Sequence, residues 1–278
     1  MILALELLRL RRSRRPLVAV SCLLLFLGLM LLGFWTYAET QTGGDVEFRY
    51  TFENSSYFNG LTFALYAFYF GFLLLLPIFA ATEGGVQLAG DTDTGALRLL
   101  LTRPLTRTNL FVSKLTAATL LVVFLTGALL LLSLAIGLIA VGWGELRLYP
   151  GVLQMTDRPM SLSQGEALRR FAMVWPAASL ALMAPLALSF LISAWARNAV
   201  NAVSAAVAIY LVLYVIAEIS FFEDLRPYLF TDAMPFWRGL LREEIDWAEI
   251  GREAARLTGF TCIFLALAHW RLRRREEV

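Results

Sequence analysis

Lysine occurs once in this chain, at Lys114, histidine once, at His269, and cysteine twice, at Cys22 and Cys262. With a single lysine, preceded by Ser113 and by no glycine cluster, the chain has no Gly-x-x-x-x-Gly-Lys-Ser/Thr phosphate loop. A lone histidine with no Cys, Asp or Glu near it in sequence makes no metal site of the usual kind. Both cysteines sit in apolar runs, where they read as small hydrophobes and leave the redox compartment open. Paired acids, a Ser/His set and a metal constellation are not found within or beside the apolar runs, so no residue is assigned a catalytic, cofactor-binding or metal-binding role. Charge is also scarce: charged residues make up 17% of the 278, and hydrophobic residues 59%.

That apolar excess arrives in uninterrupted blocks rather than periodic stripes. A helix crossing roughly 30 Å of hydrocarbon needs about 20 mostly apolar residues. The blocks Pro16–Tyr37, Leu61–Ala81, Leu110–Val141, Phe171–Trp195 and Val200–Ala217 meet that need, and Leu257–Trp270 meets it only by borrowing a turn from the charged segment before it. The expected fold class is all-α: a polytopic membrane protein with six transmembrane helices in one domain, 1–278. The third block is long enough to tilt or to project beyond the bilayer. Pro77, Pro176 and Pro185 fall inside blocks and are candidate kinks. The first block is too long for a signal-peptide core and reads as a retained helix.

Basic residues resist translocation, which orients the spans. Arg9, Arg11, Arg12, Arg14 and Arg15 precede the first span, whereas the loop after it, 38–60, has only Arg49. Both termini are therefore expected in the cytoplasm, with outer loops at 38–60, 142–170 and 218–256. The last loop projects as an amphipathic helix: Arg238, Arg242, Asp246, Glu249, Arg252 and Arg256 share one arc, and Trp237, Leu240, Trp247 and Ile250 the other. This reads as an interfacial helix with tryptophans at headgroup level, or as a docking face for an extracytoplasmic partner. Glu83, at the end of the second block, reads as a solvated cap or as part of a contact with a soluble protein.

The loop between the second and third spans carries the most information. Asp91, Thr92 or Asp93 can cap a short helix there. Leu97, Leu100 and Leu101 form an i, i+3, i+4 apolar strip, Pro104 forces Arg103 out of helical geometry, and Thr106 or Thr108 can cap the third span. A short amphipathic helix tethered to two spans is a lever that a soluble partner can push.

The run Asp93-Thr94-Gly95-Ala96-Leu97, then Leu100-Leu101-Thr102-Arg103-Pro104-Leu105-Thr106-Arg107, with Lys114 beyond it, resembles the signature of ABC-2 type permeases. It departs from that pattern in the order Thr94-Gly95, with Ala96 following, and in Arg103 before Pro104. The resemblance implies the membrane-spanning subunit of an ATP-binding-cassette exporter, not itself an enzyme. Segment 91–110 would then be the cytoplasmic coupling helix, with Glu83, Asp93, Gly95, Leu97, Leu100, Leu101, Arg103, Pro104, Arg107 and Lys114 at the ATPase contact. It further implies an ABC ATPase subunit in two copies, carrying the ATP and Mg; a second permease copy as homo- or heterodimer; and location in the cytoplasmic (inner) membrane. No nucleic acid is expected. A membrane-embedded lipid-modifying enzyme and a secondary carrier are the alternatives.

Overall fold

The computed structural model describes residues 6, 8, 9, 12–43, 58–95, 106–148, 153 and 160–274. Helix α1 spans Arg15–Gly43. A second long rod is built from α2 (Gly60–Phe70), one π-helical turn (Gly71–Leu75) and α3 (Leu76–Asp93). Helix α4 covers Arg107–Ala140, and a short antiparallel hairpin pairs β1 (Leu146–Leu148) with β2 (Met160–Leu162). Then come α5 (Gln164–Ala181), α6 (Met183–Trp195) and α7 (Ala199–Glu218). Two 3-10 segments, Ser220–Tyr228 and Met234–Leu241, flank a single turn α8 (Phe230–Ala233), and α9 runs over Trp247–Arg274.

Among the described residues, five helical stretches are long and apolar enough to cross a membrane: Arg15–Thr36, Gly60–Asp93, Arg107–Ala140, Gln164–Trp195 and Ala199–Glu218. Helix α9 does not qualify, because charges flank its apolar stretch on both sides: Glu249, Arg252, Glu253 and Arg256 before it, and Arg271, Arg273 and Arg274 after it. It is nevertheless one continuous helix of 28 residues, so the apolar stretch 257–270 is extended by the preceding charged turns.

The prolines act differently at each site. Pro77 has no N–H for the carbonyl of Leu73, four residues earlier. The helix there loosens into the π turn, and the Tyr210 hydroxyl on α7 donates to Leu73 O at 3.1 Å, restoring the missing bond. Pro185 stands four residues after Ala181, the last residue of α5, and the break at Leu182 divides that span. Pro176 lies inside an unbroken helix.

Close helix packing depends on glycine and serine. A Cβ on Gly84 would lie 2.0 Å from Ser189 Oγ and 2.5 Å from Leu186 O, so α3 and α6 touch almost backbone to backbone. One turn along, Ser193 Oγ donates to Gly85 O (2.6 Å) and accepts from the backbone N–H groups of Leu88 (3.0 Å) and Ala89 (2.8 Å). At the opposite end of the rod, Gly60 meets Gly137 in the same way, a Cβ on Gly137 falling 2.4 Å from Gly60 O.

The segment 221–256 is not the single amphipathic helix its periodicity predicts. Pro227 and Pro235 interrupt it, Phe222 has non-helical backbone angles, and the chain folds back into the bundle. Trp237 is fully buried rather than interfacial, edge-on to Phe68 and Phe72 at 5.2 and 5.3 Å. Trp247 is 62% exposed, as a headgroup-level residue would be. Two arginines fasten this insertion. Arg170 of α5, itself buried, donates to the carbonyls of Leu240, Arg242 and Glu243 and pairs with Glu166. Arg256 of α9 donates to Arg226 O and Leu229 O and pairs with Asp232 and Glu253.

Candidate functional site: the junctions around segment 91–110

Helix α3 does not stop at Ala81. Thr82 through Gly90 continue it, because Gly84 and Gly85 serve close helix contact rather than a turn. Asp91, Thr92 and Asp93 thus close α3 instead of capping a new helix. Thr94 is its C-cap, and Gly95, with φ +69°, takes the left-handed conformation that ends a helix. Residues 96–105, including Leu97, Leu100, Leu101, Arg103 and Pro104, lie outside the described residues. The chain resumes at Thr106, whose hydroxyl accepts from Asn109 N at 3.2 Å and caps α4.

Both ends of the intervening segment are tied down. Before it, Asp91 Oδ2 lies 2.5 Å from Lys114 Nζ, and Asp91 Oδ1 accepts from Arg9 at 2.8 Å. Lys114 also pairs with Glu6 at 3.1 Å. The Lys114 and Asp91 side chains are only 2% and 3% exposed, and a charge pair so deeply withdrawn from water persists only where the partners satisfy each other. The Asp91 carboxylate, mainly through its hydrogen bond, raises the Arg9 guanidinium above its ordinary value. This network links the N-terminal segment, the end of α3 and the second turn of α4. After the segment, Arg107 donates to Leu272 O (3.1 Å) and Arg273 O (2.9 Å), capping the carbonyl end of α9.

Of the residues singled out in the sequence, Lys114 is the centre of the buried network, Arg107 bridges to α9, Asp93 is exposed at the end of α3, and Gly95 terminates it. Glu83 departs from that expectation: it is 5% exposed, inside α3, and its Oε2 has no hydrogen-bond partner among the described residues. It is not a solvated cap. Sequence reasoning missed Asp91 as the partner of Lys114, and Glu6 and Arg9 with it. A signal was available: Glu83, Gln87 and Asp91 recur at i, i+4 and i+8, which places a polar stripe on one helical face, and all three are buried.

These features define a polytopic helical membrane protein in which the helix ends on either side of residues 96–105 are tied to neighbouring segments. The family model described as "ABC-2 family transporter protein" matches residues 1–228, and the chain belongs to that family. It is accordingly a transporter membrane subunit of the permease type. No curated protein matches it.

Proposed function

We propose that the chain is the permease of an ABC exporter in the cytoplasmic membrane, with α9 as its sixth span and both termini in the cytoplasm. It works with two copies of a separate ATPase subunit, which hold the ATP and Mg, and with a second permease as homo- or heterodimer. Segment 91–110 is the coupling element, presenting Leu97, Leu100 and Leu101 to a groove on the ATPase. Closure of the ATPase pair shifts the population between two arrangements of the spans.

The observation that carries this reading is the anchoring of both ends of the segment. A push on residues 96–105 reaches α3, α4 and the N-terminal segment through Asp91, Lys114 and Arg9, and reaches α9 through Arg107. A loosely tethered loop would dissipate such a push. A sixth span is supported by the neutralisation of Arg256, whose charge is taken up by Asp232, Glu253 and two carbonyls. The test is co-purification from native membranes. An ATPase subunit stays bound to the intact chain and is lost from the variant Leu100→Glu/Leu101→Glu. Retention of the ATPase by that variant, or its absence from the intact chain, overturns the reading.

A further inference from the structure

The buried ion network forms one wall of an open cavity of about 220 Å³. Lys114, Arg9, Glu6 and Asp91 line it and form ion pairs with one another. Two further charged groups line the same cavity, and among the described residues neither makes a salt bridge at contact distance: Arg15, which opens α1 and whose charge also acts at longer range on the buried Glu83 carboxylate, and Asp93, which ends α3. Both are exposed. Val86, Ala117 and Ala199 complete the wall with apolar surface.

The charge pattern selects the ligand. An anion would meet Arg15 but be repelled by Asp93, a cation would suffer the reverse, and an uncharged group would gain a charge-assisted contact with neither. A zwitterion satisfies both. The volume is below the roughly 300–1,000 Å³ of pockets that enclose a drug-sized ligand, so the cavity takes a small polar group and not a whole lipid. Next to Arg15 on α1, Leu17 and Val18 are 70% and 64% exposed, and Val200, beside Ala199, is 68% exposed. These apolar side chains supply surface for an acyl chain whose polar end lies in the cavity. A primary ammonium donates hydrogen bonds to a carboxylate, which a quaternary one cannot do.

We propose that this cavity binds the phosphoethanolamine headgroup of a membrane lipid, its phosphate on Arg15 and its primary ammonium on Asp93. The inference rests on the reading above that this end of the bundle lies at the inner membrane surface. Because Asp93 lies two residues from Asp91 and two from Gly95, an occupied cavity braces the first anchor of the coupling segment, which makes that segment responsive to the surrounding lipid.

The experiment is native mass spectrometry of the purified full chain in detergent. Phosphatidylethanolamine, phosphatidylcholine and phosphatidylglycerol of identical acyl chains are added at equal concentration, with soluble phosphoethanolamine as competitor. Phosphatidylethanolamine adducts exceed those of the other two by about fivefold or more, as expected for charge-assisted hydrogen bonds that only it makes at both ends. Asp93→Asn removes the preference over phosphatidylcholine. Arg15→Gln weakens binding of all three lipids, and Arg15→Lys restores it. Equal binding of the three lipids to the intact chain, which depends on no variant, overturns the proposal, as does a preference that survives Asp93→Asn. Competition by the soluble compound at concentrations equal to the lipid overturns the lipid source. Failure here with the ATPase still bound removes the headgroup site alone; loss of the ATPase from the intact chain removes the reading beneath it.

Discussion

Replacing Lys114 by methionine leaves an unbranched side chain one atom shorter and deletes its charge, so the loss it causes is mainly that of the buried network. Asp91, 3% exposed at its side chain, then retains Arg9 alone among the described residues, and Glu6, 12% exposed, loses its contact cation and keeps only the longer-range pull of Arg9. Removing one partner of a buried pair costs roughly 3–5 kcal/mol when the other is left alone. Arg9 remains, but its side chain is 55% exposed and its attraction is screened by water, so the expected loss is about 2–4 kcal/mol. For a chain of this size that corresponds to a fall in Tm of roughly 5–15 °C. Neutralising the stranded charge with Asp91→Asn in the Lys114→Met background recovers about 1–2 kcal/mol, so the two changes are strongly non-additive. Thermal unfolding of the purified chain in one detergent, followed by tryptophan fluorescence, reads both values. If Lys114→Met stays within about 2 °C of the parent, or the second substitution adds its full cost to the first, the network does not hold these three segments together.

Gly84→Ala places a methyl group 2.0 Å from Ser189 Oγ and 2.5 Å from Leu186 O, so α3 and α6 must separate, at a cost of about 1–3 kcal/mol or more. Adding Ser189→Ala relieves only the hydroxyl clash, and a double variant with full parental Tm would refute the backbone-contact account. Arg170→Met frees the carbonyls of Leu240 and Arg242. Hydrogen exchange across 234–246 should accelerate by about tenfold or more, in line with the loss of charge-assisted bonds, while α3 exchanges as before; unchanged protection of 234–246 would contradict the fastening role.

The apolar blocks located most of the bundle because hydrocarbon thickness imposes one simple length rule. Leu110–Val141 corresponds to helix Arg107–Ala140, and Val200–Ala217 to Ala199–Glu218. The rule does not govern helix ends in polar surroundings. Block Phe171–Trp195 begins seven residues late, because Ser163 caps α5 by accepting from Glu166 N, and its first turns are polar. Block Leu61–Ala81 stops twelve residues early, because the apolar run ends at Thr82-Glu83, whereas the helix continues through Gly84 and Gly85, packed against Ser189 and Ser193. The last loop was misread for a related reason: Trp237 sits at helical spacing with the surface tryptophan Trp247, and only the contact with Phe68 and Phe72 shows that it is core. At the candidate site, Lys114 stood out as the only lysine. Its partner Asp91 did not, because their pairing depends on how two rods lie side by side.

The central claim is that residues 96–105 are held by an ATPase on the cytoplasmic side. A photo-crosslinking side chain introduced at Leu100 and irradiated in intact cells tests it most directly. The account predicts a single major adduct with a nucleotide-hydrolysing polypeptide, and protection of a cysteine at the same position from an impermeant thiol reagent added outside. Labelling of that cysteine from outside, or adducts with lipid alone, would contradict it.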